Sequence, residues 1–187
     1  MTGLDALLVV AAIFALGTLY VVVPIAADVY RRFRGTRVIT CPENQRAAAV
    51  QVDARHAAFT TVAGRADIKL ARCSRWPERH DCGQECLRQI ESAPEECLVH
   101  TMLAKFYAGK HCVLCGASFD GIESWGHHTA LMAPGGLTLE WSQIASEQLP
   151  DLLQSHQPVC WNCHVAETFR RQHSDLVIDR PAQSAAH

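Results

Sequence analysis

The chain has almost no excess of charge of either sign. Its 17 Lys and Arg residues nearly balance its 19 Asp and Glu residues, which gives a formal net charge of −2 over 187 residues. Proteins whose main partner is nucleic acid usually show a basic excess, because they must neutralise phosphates. Residues 116–159 contain no Lys or Arg at all. The composition therefore indicates that nucleic acid is not an expected partner.

Charged residues are also missing from a long stretch near the N-terminus. Residues 6–27 are 22 consecutive residues without a charge, rich in Leu, Val, Ala and Ile. A helix of that length rises roughly 33 Å, enough to cross the hydrocarbon core of a membrane. A signal peptide, the main alternative, would need a basic start and a shorter apolar run, whereas only Asp5 precedes this one. We expect residues 1–30 to be a transmembrane anchor that contacts lipid through residues 6–27.

The flanking charges predict how this anchor is oriented. Four arginines follow the apolar run, namely Arg31, Arg32, Arg34 and Arg37. The positive-inside rule places them, and the chain after them, in the cytoplasm. We therefore expect a single-pass protein of the inner (cytoplasmic) membrane with its N-terminus outside. The cytoplasm is also the reducing compartment in which thiols stay free to bind metal.

The nine cysteines are the most informative residues of the remaining chain. Two of the turns have the form Cys-x-x-Cys, and they supply Cys112, Cys115, Cys160 and Cys163. Four thiolates from two such turns complete the tetrahedral shell of a structural zinc site. Gly116 directly after the first turn permits the positive φ that this kind of turn usually needs. The spacing predicts one Zn²⁺ here.

A second set of cysteines precedes the first Cys-x-x-Cys turn. Five are available, and we predict a further four-sulfur site from Cys41, Cys73, Cys82 and Cys86, with Cys97 as a spare or a buried neighbour. Residues 82 and 86 are spaced to fall on one face of a helical turn. A second zinc ion and an iron–sulfur cluster are both compatible with four thiolates. Buried apolar cysteines that bind nothing are the simpler alternative.

Local patterns predict an α+β chain of small metal-stabilised domains after the transmembrane helix. Residues 38–109 are expected to form a cysteine-rich α/β domain. Its strands lie near 38–42, 50–52 and 68–70, a short helix at 54–62, and a helix at 93–108 starts from the capping box Ser92-Ala93-Pro94-Glu95. Residues 110–180 follow the order knuckle, hairpin, knuckle and helix, with the helix at about 162–172. That order is typical of a treble-clef or zinc-ribbon-like domain.

The last domain resembles a known family. The residues that carry the resemblance are Cys112, Cys115, Gly116, His127, His128, Gly135, Gly136, Cys160, Cys163 and His164. In this pattern residues 110–173 resemble the zinc-containing HNH endonuclease module. The resemblance implies that His128 is a general base that activates water, that His127 is a metal ligand and that His164 is a further one.

The resemblance is incomplete at one functional position. The family has an Asn about five residues before the second knuckle, whereas residues 154–158 here read Gln-Ser-His-Gln-Pro. We therefore expect a degenerate module without catalysis. The chain as a whole resembles a bacterial family of single-span, cysteine-rich membrane proteins.

Three functions are compatible with these patterns. The preferred hypothesis is a non-catalytic, membrane-anchored metal-binding subunit that serves as an accessory or scaffold within a larger membrane protein complex. The second is an HNH-type metal-dependent endonuclease. The third is electron transfer, either by an iron–sulfur cluster at the first cysteine set or by a c-type haem, for which residues 160–164 match the attachment sequence Cys-x-x-Cys-His.

Overall fold

The computed structural model describes residues 3–79, 81–119 and 129–176. It confirms a mixed α+β architecture with a long apolar helix at the N-terminus. The chain divides into two compact units, Met1–Met102 and Leu103–His187. The side chains that were predicted to bind metal fall in both units.

Helix α1 spans Gly3–Phe33 and is the longest element of the chain. Most large apolar side chains between Leu7 and Ile25 are exposed on the protein itself. Within α1 the segment Asp5–Phe33 is long and apolar enough to cross a membrane. Arg31 and Arg32 lie in its last turn, where positive charge also complements the helix dipole.

The first unit continues as a three-stranded antiparallel sheet. Its strands are β1 (Thr36–Thr40), β2 (Ala47–Val52) and β3 (Leu70–Cys73), in the order β1-β2-β3. Alternate residues of β2 are buried, as expected for a strand with one face on a core. β1 and β2 thus overlap the strands predicted at 38–42 and 50–52, and each begins earlier than predicted. The third strand begins at residue 70, later than predicted.

Helix α2, Ala54–Val62, connects β2 to β3 and coincides with the predicted short helix. It begins at Asp53, whose carboxylate accepts a hydrogen bond from the backbone N–H of His56 at 2.9 Å. Its residues Ala54 and Ala57 join the hydrophobic core that the sheet forms with Phe33. Helix α2 also packs against α1.

The predicted helix at 93–108 is wrong over residues 93–98, which form a turn between the short helix α3 (Leu87–Ser92) and α4 (Val99–Tyr107). Leu98 forms a β-bridge with Arg37, and the carbonyl of Cys97 accepts a hydrogen bond from the N–H of Val38 at 2.8 Å. This pairing with β1 keeps residues 97 and 98 out of a helix where the local capping signal predicts one.

Arg37 is the most deeply buried charged residue among those described, with 0% of its surface exposed. Its guanidinium donates hydrogen bonds to the carbonyls of Phe33 at 2.6 Å, Arg34 at 3.3 Å and Gly35 at 3.3 Å, at the end of α1. It also donates to the carbonyl of Pro94 at 3.1 Å. One side chain therefore satisfies the free carbonyls at the end of α1 and fixes the turn before α4.

The second unit contains another three-stranded antiparallel sheet. Its strands are β4 (Ala130–Met132), β5 (Thr138–Glu140) and β6 (Gln157–Val159), in the order β5-β4-β6. Short 3-10 turns at Trp141–Gln143 and Ser146–Gln148 and helix α5 (Leu149–Ser155) connect β5 to β6. Helix α6, Trp161–Gln172, follows at the position predicted for the last helix. It contacts β5.

Tyr107 at the end of α4 connects that helix to the second sheet. Its hydroxyl donates a hydrogen bond to the carbonyl of Ala130 at 2.8 Å, and its ring contacts Phe106 and Phe119. Burial raises the pKa of Tyr107 to about 12, so that the hydroxyl keeps its proton and stays a donor. Gly109, at φ 66°, then ends the helical path.

We predict that Arg37→Ala lowers the free energy of unfolding by about 3 kcal/mol, because it leaves buried carbonyl groups without a donor. The measurement is thermal or denaturant unfolding of the full chain in detergent. Arg37→Lys, which keeps the charge but not the several directed N–H groups, is expected to lie between the wild type and Arg37→Ala. The exposed Arg34→Ala is the matched control. Equal stability of the Arg37→Ala and Arg34→Ala variants would contradict this prediction.

Candidate metal centre

The first cysteine turn of the second unit is shaped by its own backbone. The N–H of Cys112 donates to the carbonyl of Ala117 and the N–H of Gly116 donates to the carbonyl of Cys112, each at 2.8 Å. Gly116 has φ 72°, in the left-handed region that the sequence predicts for it. The turn leaves the Cys112 side chain 2% exposed and that of Cys115 open to solvent.

The second cysteine turn forms the start of α6. Cys160 is the N-cap residue in an extended conformation, and Cys163 lies in the first helical turn. The N–H of Cys160 donates to Sγ of Cys112 at 3.3 Å, which joins the two turns. The N-terminus of a helix favours thiolates, because its free N–H groups carry partial positive charge. Strand β6 leads into this second turn. Its Pro158 carbonyl accepts a hydrogen bond at 3.1 Å from the N–H of Val113, which lies in the first turn, so β6 also holds the two turns together.

The two turns bring four sulfurs together. All four Sγ atoms lie within 4.8 Å of one another, and those of Cys115 and Cys160 are 3.7 Å apart. An ion held tetrahedrally by metal–sulfur bonds of about 2.3 Å requires sulfurs about 3.8 Å apart. The four side chains therefore fit a single ion such as Zn²⁺. The predicted grouping of Cys112, Cys115, Cys160 and Cys163 is present.

The protonation of these thiols also favours a bound cation. Burial opposes ionisation of Cys112, but backbone N–H groups of Cys160, Cys115 and Leu114 outweigh it and lower the pKa of this thiol to about 6. Burial, and then hydrogen bonds with the neighbouring sulfurs, raises the pKa of Cys163. One thiolate thus forms readily, whereas the pKa values of Cys160 and Cys163 are raised, because negative charge would accumulate in a small volume. A divalent cation removes this conflict, and its binding releases protons.

His164, the residue after Cys163 in α6, is held in place by hydrogen bonds. Its Nδ1 lies 3.0 Å from Oγ1 of Thr138 on β5, and Arg171 donates to the same hydroxyl at 3.2 Å. Burial lowers the pKa of His164, Glu140 raises it and Arg171 lowers it. The imidazole is therefore favoured in its neutral form. His127 and His128, the other residues of the HNH-like pattern, lie outside the described residues.

The first cysteine set lines a cavity of about 160 Å³ in the first unit. Cys41, Cys73, Cys82 and Cys86 all contribute to its wall. Burial, and then the charges of Cys82, Cys73 and Cys41, raises the pKa of Cys86 to about 11, which reflects how near the four groups lie. Among the described residues, however, the group whose ligand atoms all lie within 4.8 Å of one another is the set in the second unit. The second metal site stays a prediction.

An arginine without a predicted role, Arg75, lies at this cavity. The guanidinium of Arg75 donates to Sγ of Cys41 at 2.7 Å and lies 3.5 Å from a carboxylate oxygen of Glu43. Arg79 contacts the same carboxylate at 3.5 Å. The pattern Cys-x-Arg after β3 gives no metal-binding signal of its own, and only the fold brings Arg75 to Cys41. In this arrangement Cys41 has a cationic partner.

Two expectations about the neighbouring cysteines can be compared with the structure. Cys82 and Cys86 do not share a helical turn: Cys86 is the N-cap of α3, whereas Cys82 precedes it in an irregular segment. Gln84 between them has φ 55°, and its N–H lies 3.4 Å from Sγ of Cys82. The left-handed residue turns the chain before the helix starts. Cys97 packs against the hydrophobic core, as expected for a buried neighbour.

Comparison of the chain with protein-family models, with curated proteins and with solved structures gives no match. Function must therefore be argued from the residues of the two units themselves.

We predict that Cys163→Ser removes one metal equivalent and makes the second unit protease-sensitive, because the binding energy of a structural metal is folding energy. Cys82→Ser is expected to remove a separate equivalent from the first set. Cys97→Ser is the matched control and should keep the full content. The measurement is elemental analysis with a visible spectrum of protein purified without oxygen, which separates zinc from iron–sulfur. Unchanged metal content in Cys163→Ser would contradict the assignment of the four-sulfur site.

Proposed function

We propose that this chain is a membrane-anchored, cytoplasmic metal-binding protein that serves as an accessory or scaffold subunit of a larger membrane protein complex. The observation that carries the proposal is the group formed by Cys112, Cys115, Cys160 and Cys163. Four sulfurs fill a tetrahedral shell and leave no position for water or substrate, which is the arrangement of structural rather than catalytic zinc. We assign Zn²⁺ to this site, and its chemistry there would be to hold the two turns together.

The anchor is supported by α1, whose apolar side chains face outward along most of its length. The orientation rests on Arg31, Arg32 and Arg34, which are exposed directly after the apolar run. Arg37 is buried against backbone carbonyls and contributes to the fold. A thiol site of this kind also needs a reducing compartment, and the cytoplasm provides one.

We predict that reporters fused to the C-terminus are active on the cytoplasmic side only. Alkaline phosphatase, which is active only outside the cytoplasm, should be inactive there, and a green fluorescent protein fusion should be fluorescent. Exchange of Arg31, Arg32 and Arg34 for Ala tests the cause, because it removes the exposed positive charges while leaving Arg37 in place. A C-terminal phosphatase that is active in the unchanged chain would overturn the orientation.

A second candidate is the HNH-type endonuclease. In its favour, hairpin β4–β5 follows His127 and His128 in the sequence, and His164 on α6 is hydrogen-bonded to Thr138 of β5. Against it stands the absence of Lys and Arg from residues 116–159, since a nuclease must neutralise the phosphates it approaches. Electron transfer is a third candidate, supported by the cavity that the first cysteine set lines. A c-type haem would withdraw Cys160 and Cys163 from the four-sulfur group.

We predict that the full chain in detergent does not nick supercoiled plasmid in Mg²⁺, Mn²⁺ or Ni²⁺ at low salt. Residues 116–159 lack positive charge and include Glu140, Glu147 and Asp151, which would repel a duplex. Nicking that is lost in His128→Ala and kept in the control His100→Ala would show that the protein is a nuclease. It would overturn the scaffold proposal.

A further inference from the structure

The contact between α1 and α2 leaves an apolar groove on the surface of the first unit. The groove encloses about 690 Å³. Its walls are Val22, Val23, Ala26, Ala27 and Tyr30 on α1, and Arg55, Ala58, Phe59, Val62 and Ala63 on α2. All but Tyr30 and Arg55 have wholly apolar side chains. A surface of this kind needs an apolar partner, because water solvates it poorly.

Helix α2 presents two apolar sides. One carries Ala54 and Ala57, which are buried in the core of the sheet. The other carries Phe59, whose side chain is 81% exposed, and Val62, which is 50% exposed. Core packing therefore explains the first side and leaves the second without a partner inside this unit. A large exposed aromatic residue on a helix of nine residues is costly unless something covers it.

The position of the groove along α1 indicates what covers it. Val22–Ala27 are the last six residues of the uncharged run at 6–27, and they occupy its last roughly 9 Å at 1.5 Å per residue. A membrane that α1 crosses needs about 20 residues of that run and so reaches this level. The side of α2 that lies next to Val22 and Val23 then lies at the same depth. Helices that rest in a membrane interface bury their apolar face by about 5–10 Å.

The polar residues that line the groove are of the types found at a membrane–water interface. Tyr30 and Arg55 line the groove, and both also line an adjoining cleft together with Arg34 and Asp53. The carboxylate of Asp53 is used to cap α2. Tyrosine is enriched at membrane–water interfaces, and arginine extends its guanidinium towards phosphate while its stem stays in apolar surroundings. Two arginines beside one tyrosine therefore match the headgroup layer above the acyl chains.

We propose that the outer side of α2, with Phe59 and Val62, is inserted among the acyl chains of the membrane leaflet at the C-terminal end of α1. Tyr30, Arg34 and Arg55 then contact the phosphate layer. The groove is occupied by phospholipid acyl chains, because it continues the lipid-facing surface of α1. This inference rests on the proposed membrane anchor and adds a second, interfacial contact. It fixes how deep the first unit sits at the membrane surface.

The test uses the full chain in bilayers of phosphatidylcholine whose acyl chains carry bromine, which quenches tryptophan on contact. Three variants each add one tryptophan to the four native ones. Phe59→Trp probes the groove, and Phe14→Trp probes the middle of α1, where the side chain is 73% exposed. Glu91→Trp is the aqueous control on α3, whose Gln89 is hydrogen-bonded to Thr40, at the end of β1 that is remote from α1.

The fluorescence that each variant adds to the wild type is compared in brominated and unbrominated lipid. We expect at least a twofold loss at positions 59 and 14 and no loss at position 91. Val62→Trp repeats the measurement on the same side of α2, and an unchanged melting temperature shows that each variant is folded. The fractional loss of fluorescence in brominated lipid should be similar at positions 59 and 62.

Three outcomes would overturn the inference, and they differ in what else they affect. Quenching at 14 but not at 59 or 62 would leave the anchor intact and remove α2 from the lipid. A blue-shifted emission at 59 without quenching by lipid would mean that protein covers the groove. No quenching at 14 would remove the membrane anchor itself, and the interfacial contact with it.

Discussion

The first unit depends on how the backbone carbonyls at the end of α1 are hydrogen-bonded. A helix leaves its last four carbonyls without partners, and here Arg37 supplies donors to the carbonyls of Phe33, Arg34 and Gly35 from within the core. Burial lowers the pKa of this guanidinium, and the charge of Cys97 opposes that shift. Since Arg37 is also in β1, the direction in which the chain leaves α1 and the register of the sheet are set by the same residue. Arg37 also donates to the carbonyls of Arg32 and Pro94, and the bond to Pro94 extends this constraint to the turn before α4.

The two cysteine sets differ in which groups lie next to their sulfur atoms. In the second unit four sulfurs surround a common point, and several backbone N–H groups are directed at them. In the first unit a guanidinium is in contact with one sulfur, and the thiols line a cavity. A cation from solution and a cation from the chain both offset negative charge on sulfur. The difference lies in geometry: an ion at the centre of the second set would contact all four sulfurs, whereas Arg75 donates to the sulfur of Cys41.

Local signals in the sequence predicted the elements that local interactions determine. The helix at 54–62, the positive φ of Gly116, and the start of α6 in the second knuckle all involve residues close in sequence. The prediction at 93–98 was wrong because a capping signal competes there with distant partners on β1, which periodicity does not reveal. Arg75 near Cys41 and Thr138 near His164 were missed for the same reason. The four sulfurs were predictable despite a separation of 44 residues, because each Cys-x-x-Cys turn is recognisable on its own as a pair of metal ligands and a tetrahedral site needs two such pairs.

The separation of the two knuckles has a consequence for how the protein is made. Synthesis proceeds from the N-terminus at about 5–20 residues per second, so the 44 residues between Cys115 and Cys160 take roughly 2–9 seconds. During that interval Cys112 and Cys115 are a lone dithiol pair, without the strand and helix that later complete their surroundings. In the finished fold the backbone N–H of Cys160 donates to Cys112, whereas the donors at Leu114 and Cys115 belong to the first turn itself. The donor from the second turn therefore reaches Cys112 together with Cys160 and Cys163, the residues that complete the four-sulfur group.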